Sequence, residues 1–139
     1  MNVQVNLVGV LLAAVASMAL GAVWYAKPVF GKMWLKLVGL SEKDQQANAA
    51  PALVQGFIMA LLTAYVVAHV SYLSNQFFHH SFMQDAIATG FWLGLGISAT
   101  TVAIHGAFER RPQRLVLLTV AHQLVGFIII GAVIGAFQP

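Results

Sequence analysis

The sequence predicts an all-α integral membrane protein, a compact bundle of four transmembrane helices with a short amphipathic interfacial helix between the first and the second. The composition is the first observation, because 60% of the 139 residues are hydrophobic and only 8% are charged, whereas soluble domains carry about 25% charged residues. The second is the presence of four charge-free runs of about 20 residues, the length at which a helix crosses a bilayer. The third is the position of the seven Lys and Arg residues, which all lie in two short segments between these runs.

The four predicted spans cover residues of about 5–26, 52–74, 86–108 and 115–137, and we expect them to form a single domain. The first span lacks the basic segment that opens a signal peptide, so we expect it to be retained, with cleavage near the small residues 14–19 as the alternative. The absence of cysteine excludes disulfides and thiolate chemistry.

The charge distribution predicts an orientation. The segment after the first span and the segment after the third hold every basic residue, namely Lys27, Lys32, Lys36, Lys43, Arg110, Arg111 and Arg114. The positive-inside rule then predicts an inner-membrane, multi-pass protein with loops 27–51 and 109–114 in the cytoplasm and both termini outside. Because these few basic residues border apolar runs, we expect the lipid bilayer as a partner and no nucleic acid.

The first span is predicted to end where Pro28 breaks the helical hydrogen bonding. The interfacial helix follows, because its apolar residues recur at helical spacing while Lys32 and Lys36 fall on the other face. The apolar positions are Phe30, Met33, Trp34, Leu37 and Val38. Gly39 is predicted to end this helix, Ser41 and Asp44 to form a capping box, and Pro51 to lie in the first turn of the second span.

Small residues recur at intervals of four along the predicted spans, a spacing that lets helix backbones approach closely in lipid. The predicted packing positions are Gly9, Ala13, Ser17, Gly90, Gly94, Ser98, Gly131 and Gly135. A tightly packed bundle core explains them, and contact with a second subunit is the alternative.

The candidates for chemistry are membrane histidines, because the chain contains no common catalytic or nucleotide-binding motif. His105 and Glu109 share a helix face, and His122 is predicted at similar depth on the next helix, so the three form a candidate cofactor-binding cluster with Gln55 and Thr101 nearby. The competing interpretation is that Glu109 ends its helix and the histidines only hydrogen-bond neighbouring helices. We predict no metal site, no cofactor and no catalytic residue.

A second polar group, His79, His80 and Asp85, falls between the second and third spans. Such residues can bind a divalent ion, but Asp85 begins a helix, where a carboxylate caps free amides. We therefore interpret Asp85 as a capping residue.

The exit from the first span carries a dense motif, Gly21, Trp24, Tyr25, Pro28, Phe30, Gly31 and Trp34. Its aromatic residues are typical of the membrane interface. Together with residues 108–112 and 121–135, the motif resembles the small membrane proteins of the domain of unknown function 1761 family, apart from Ala26 and Lys27, where small residues are expected. The resemblance covers nearly the whole chain and implies fold and membrane location, but no activity.

Three functions remain open. The leading hypothesis is a non-enzymatic accessory or scaffold subunit that forms a homo-oligomer or packs in a larger membrane complex, because small-residue stripes are present and convergent catalytic groups are not. The alternatives are a small transporter or channel that uses membrane histidines and a haem, pigment or quinone binding unit with His105 or His122 as a ligand.

Overall fold

The computed structural model describes residues 3–139 and contains four helical segments long and apolar enough to cross a membrane. These are α1 (Leu7–Trp24), α4 (Ala49–Phe78), the segment Phe82–Phe108 and α7 (Gln113–Ala136). The predicted all-α, multi-pass membrane fold is confirmed. The second span is longer than predicted, since its helix begins before residue 52 and ends after residue 74. We call the end of the bundle that carries all the Lys and Arg residues the basic end.

Helix α1 begins with an N-cap. The Asn6 side chain accepts hydrogen bonds from the amides of Val8 and Gly9, at 3.1 Å each, and so satisfies two amides that a helix start leaves free. The helix ends at Trp24, and the chain then turns in a π-helical segment, Lys27–Gly31. Pro28 lies in the first turn of that segment, as its missing amide allows.

Two short helices cross the basic end between α1 and α4. Helix α2 (Lys32–Val38) is the predicted interfacial helix, and it ends at Gly39, whose positive φ of 72° suits glycine. Helix α3 (Glu42–Ala47) begins with the predicted capping box of Ser41 and Asp44. These local predictions succeed because each depends on a few neighbouring residues.

The connection from α4 to α5 (Phe82–Leu93) corrects the interpretation of Asp85. Ser81 is the N-cap of α5, and its hydroxyl accepts from the Gln84 amide. The Asp85 carboxylate is buried instead and accepts a 2.8 Å hydrogen bond from the Asn75 amide, with His80 Nδ1 3.2 Å away. Asp85 therefore ties the end of α4 to the following turn rather than capping free amides.

The third span is not a uniform α-helix. Helix α5 passes through a π-helical segment, Gly94–Ala99, into α6 (Thr100–Phe108). Gly90 and Gly131 let α5 and α7 approach closely, because a Cβ on Gly90 would collide with the Phe127 carbonyl and one on Gly131 with that of Ala86. The α5–α7 contact is therefore a backbone-to-backbone contact.

The other predicted packing residues also lie at contacts within the chain or are partly buried. Helix α7 contacts α1, α4 and α5, and α1 also contacts α4. Ala13 is fully buried, Gly9 lies against Phe137 and Gly135 against Met83. Gly94 lies against Phe127, whereas Ser17 and Ser98 are half-buried.

Candidate functional site

A cleft of about 810 Å³ lies between α1, α4 and α7 and extends from the basic end towards the middle of the bundle. Its lining on α4 runs from Ala49 to Thr63, which is about 21 Å at the rise of an α-helix. The volume lies in the range of small-molecule sites, roughly 300–1,000 Å³. Its deeper wall is mostly apolar and its mouth is polar; the deeper wall includes Met18, Gly56, Met59, Ala60, Phe127 and Ile130, and the mouth includes Asp44, Gln45, Gln46 and Asn48.

The motif at the end of α1 builds one wall of this cleft. Gly21, Tyr25 and Trp34 line it directly. The Tyr25 and Trp34 rings meet edge to face with centroids 5.5 Å apart, and behind them Trp24 packs on Phe30 at 4.8 Å. Such aromatic pairs contribute about 0.5–1.5 kcal/mol beyond the area they bury. The motif therefore forms a packed aromatic wall as well as an interfacial anchor.

Gly31 holds the turn that brings this wall together. Its amide donates a 3.0 Å hydrogen bond to the carbonyl of Ala26. A Cβ at position 31 would collide with the carbonyl of Tyr25 and lie 2.9 Å from the backbone of Ala26. Only glycine lets the π-helical turn close on the end of α1, which explains its place in the motif.

His122 reaches this wall from α7. Its ring lies 5.1 Å from that of Tyr25 and 5.7 Å from that of Trp24, measured between centroids. Within residues 3–139, neither His122 Nε2 nor Trp24 Nε1 has a hydrogen-bond partner, although both atoms are buried. Because a buried polar atom without a partner costs about 1–3 kcal/mol, these two nitrogens mark a place where a polar ligand atom would stabilise the protein.

Gly21 opens the space beside the histidine. A Cβ on Gly21 would lie 3.6 Å from His122 Nε2, so glycine leaves that nitrogen uncovered by carbon. Gly21 was predicted as a packing and motif residue, and the structure places it directly beside the unpartnered nitrogen.

The mouth of the cleft is fixed by contacts of α3. Lys27 donates a 2.7 Å hydrogen bond to Glu42 and so links the end of α1 to α3, but both side chains are exposed, and such pairs contribute about 0–1 kcal/mol. Hydrogen bonds from the Ser41 hydroxyl and amide hold the pKa of the Asp44 carboxyl below its usual value. Asp44 therefore carries a negative charge at the mouth at neutral pH.

The structure brings His122 to the cleft but leaves its predicted neighbours elsewhere. The His105 side chain is 69% exposed on α6 and lies 3.9 Å from Glu109, which also accepts a hydrogen bond from Arg111. Gln55 and Thr101 are exposed. Among the described residues, the cleft lining includes only His122 of the predicted three.

At the opposite end, a smaller cavity of about 390 Å³ contains His80 and Asp85. In the part of the chain that the structure describes, no three His, Asp or Glu side chains come close enough together to hold a metal ion. His79 adopts a positive φ of 58° at the end of α4.

Several cleft residues carried no signal in the sequence. Thr63 and Gln123 are single polar residues within apolar spans, and Gln45 and Asn48 follow a capping box. A polar residue in a span indicates an inward position, but it does not identify the helix it faces.

The profile of the family described as "Protein of unknown function (DUF1761)" matches residues 8–135 of the chain. Among curated proteins nothing matches the chain, and among solved structures nothing matches it either.

Proposed function

Since the chain belongs to the DUF1761 family of proteins of unknown function, we propose a function from its own geometry: it is a non-enzymatic membrane protein that binds one amphiphilic small molecule in the cleft between α1, α4 and α7. The apolar part of the ligand lies among the side chains of α1, α4 and α7. Its polar end lies near His122 and the mouth formed by α3.

The observation that carries this proposal is the change in polarity along one cleft. The mouth offers Asp44 and amide side chains, the deeper wall offers methionine, alanine and isoleucine, and the unpartnered His122 nitrogen lies between them. Sites for small molecules are typically apolar with a few convergent polar groups. A cleft of this kind matches a molecule with an apolar body and a polar end.

The test compares two alanines one turn apart on α1. Ala22 lines the cleft, whereas Ala19 is exposed and, among the described residues, is not part of the lining. Ala22→Phe therefore fills the cleft, and Ala19→Phe adds the same ring outside it. The wild type and both variants are purified in mild detergent, and the small molecules extracted from each are identified and quantified per chain by mass spectrometry.

We expect one compound to accompany the wild type and Ala19→Phe in near-equal amounts and to be depleted from Ala22→Phe. If all three proteins carry the same detergent-exchangeable lipids in the same amounts, the cleft is not a binding site and the proposal fails.

A second candidate function, an accessory or self-associating subunit, is favoured by a different observation. Most predicted packing glycines contact other helices within the chain, but four small residues of the third span remain exposed at helical spacing, namely Gly96, Thr100, Ala103 and Ala107. Such a stripe allows close approach of another helix. Ala103→Leu is expected to weaken self-association, measured by crosslinking in membranes, while Ala19→Leu leaves it unchanged; equal crosslinking of both would argue against this surface.

The transporter hypothesis receives less support. It relied on His105 and His122 acting along one path, but the first is exposed on α6 and the second lines the cleft. A liposome flux that is insensitive to His105→Ala and His122→Ala would dispose of the mechanism.

For localisation we propose the bacterial inner membrane, with loops 27–51 and 109–114 in the cytoplasm and both termini outside, because those loops hold every Lys and Arg. The natural chain contains no cysteine, so a single Ser41→Cys can be labelled without background. Labelling by an impermeant reagent from the outer face of intact cells would reverse this orientation.

A further inference from the structure

We infer that the ligand of the cleft is uncharged and presents a carbonyl acceptor on a flat ring, which is the chemistry of a membrane quinone with an apolar tail. This inference rests on the proposed function and specifies its ligand class. Three independent features of the cleft carry it: its charge, its unpartnered donors and its aromatic wall.

The charge of the lining disfavours an anionic ligand. Among the described residues that line the cleft, Asp44 is the one with a full charge, and it is negative. The polar groups deeper in the cleft are neutral, namely Ser17, Tyr25, Thr63, His122 and Gln123. A phosphate headgroup or a pair of haem propionates would enter without a cation to neutralise it, at the high cost of an unpaired buried charge.

The unpartnered nitrogens favour an acceptor. The indole nitrogen of Trp24 is a donor only, and imidazole Nε2 of His122 donates when it carries the proton. Both atoms are buried, and within the described chain neither is hydrogen-bonded. Of the two, His122 lines the cleft, and Gly21 leaves room beside its nitrogen. A carbonyl oxygen of the ligand can accept from His122 Nε2, which removes the cost of leaving that group without a partner.

The aromatic wall favours a flat ring. The side chains of Tyr25, Trp34 and His122 stand together at the level of the membrane interface, with Tyr25 contacting both of the others. Aromatic faces pack well on planar rings. Beyond this wall the apolar residues of α4 and α7 offer a surface for the tail, and the neutral polar groups lie around the ring.

The test uses the fluorescence of tryptophan, which a bound quinone quenches. The chain has three tryptophans. Trp24 and Trp34 belong to the cleft wall, whereas Trp92 lies exposed on α5. Trp92→Phe therefore leaves only reporters near the cleft. This variant is purified in detergent and titrated with decylubiquinone, alone and in the presence of phosphatidylglycerol or diacylglycerol.

We expect saturable quenching that Ala22→Phe abolishes and Ala19→Phe preserves, each made in the Trp92→Phe background. His122→Phe keeps a ring of similar size but removes the nitrogen, and it is expected to weaken binding about tenfold, the equivalent of one hydrogen bond. Neither added lipid is expected to compete.

The outcomes separate the two claims. If phosphatidylglycerol displaces the quinone, or if quenching is unsaturable while Ala22→Phe still depletes a co-purified compound, the quinone inference is overturned and the proposed function stands. If the quenching is unsaturable and Ala22→Phe also leaves the extracted compounds unchanged, both are overturned. Equal affinities in His122→Phe and the parent would overturn the assigned role of His122.

Discussion

The imidazole of His122 meets the indole of Trp24 edge to face, with ring centroids 5.7 Å apart and ring planes at 61°, although the two residues belong to the last and the first spans. Each ring carries a buried nitrogen that has no hydrogen-bond partner within residues 3–139. The pair therefore combines good packing with unsatisfied polarity, the pattern expected where a ligand completes a site.

His122→Phe is expected to stabilise the protein once bound lipid has been washed away. The substitution keeps the aromatic packing and removes a buried group without a partner, so the free energy of unfolding should rise by about 1–2 kcal/mol. The measurement is the thermal unfolding midpoint in detergent. His105→Phe is the control, because His105 is exposed, and its effect should lie within about 0.5 kcal/mol. A lower midpoint for His122→Phe would show that its nitrogen has a partner in the protein.

Gly21→Ala is expected to separate stability from binding. The new methyl group would meet His122 Nε2 at 3.6 Å, an ordinary contact, and alanine favours a helix over glycine by roughly 1 kcal/mol. The protein should remain folded and at least as stable, while the amount of compound that co-purifies falls because carbon now covers the nitrogen. Unchanged ligand content at unchanged stability would contradict the role assigned to Gly21.

Gly90→Ala is expected to destabilise the bundle by about 1–3 kcal/mol, since its Cβ would collide with the Phe127 carbonyl and force α5 and α7 apart. Gly96→Ala in the same span is the matched control. Within the described chain nothing lies within 4 Å of a Cβ at position 96, so its stability should be unchanged or higher. Unfolding in a denaturing detergent measures both, and equal stabilities would refute the close α5–α7 contact.

The capping box at the mouth is expected to weaken in acid. Because hydrogen bonds from Ser41 lower the pKa of Asp44 in the folded protein, the stability they contribute is fully present above the ordinary value of 3.8 and is lost as the pH falls through the lowered pKa. A carboxyl-carbon NMR titration should give a midpoint below 3.8. Ser41→Ala should move the midpoint back towards the ordinary value, and no movement would mean that Ser41 does not hold the carboxylate.

Local sequence signals predicted the interfacial connection well. Pro28, Gly39 and the pair Ser41 and Asp44 each act through bonds to residues a few positions away, so their roles follow from their chemistry. The same reasoning was wrong for Asp85, because Ser81 was also available to cap α5 and the carboxylate found partners in Asn75 and His80.

The cleft could not be predicted in the same way. In lipid, helices are apolar on every side, so periodicity does not show which face of α7 meets α1. The sequence spacing of His105 and Glu109 therefore suggested a cluster with His122, whereas His122 turns instead towards Tyr25 and Trp24. The π-helical segment Gly94–Ala99 also had no sequence signal, since it changes the hydrogen-bond register without changing the composition.

The central claim is that one amphiphilic molecule occupies the cleft of each chain, and native mass spectrometry of the protein released from mild detergent tests it most directly. Our account predicts a single non-covalent adduct of defined mass per chain for the wild type and Ala19→Phe, and its loss from Ala22→Phe. A bare chain in the wild type, or the same ladder of lipid adducts on all three proteins, would contradict it.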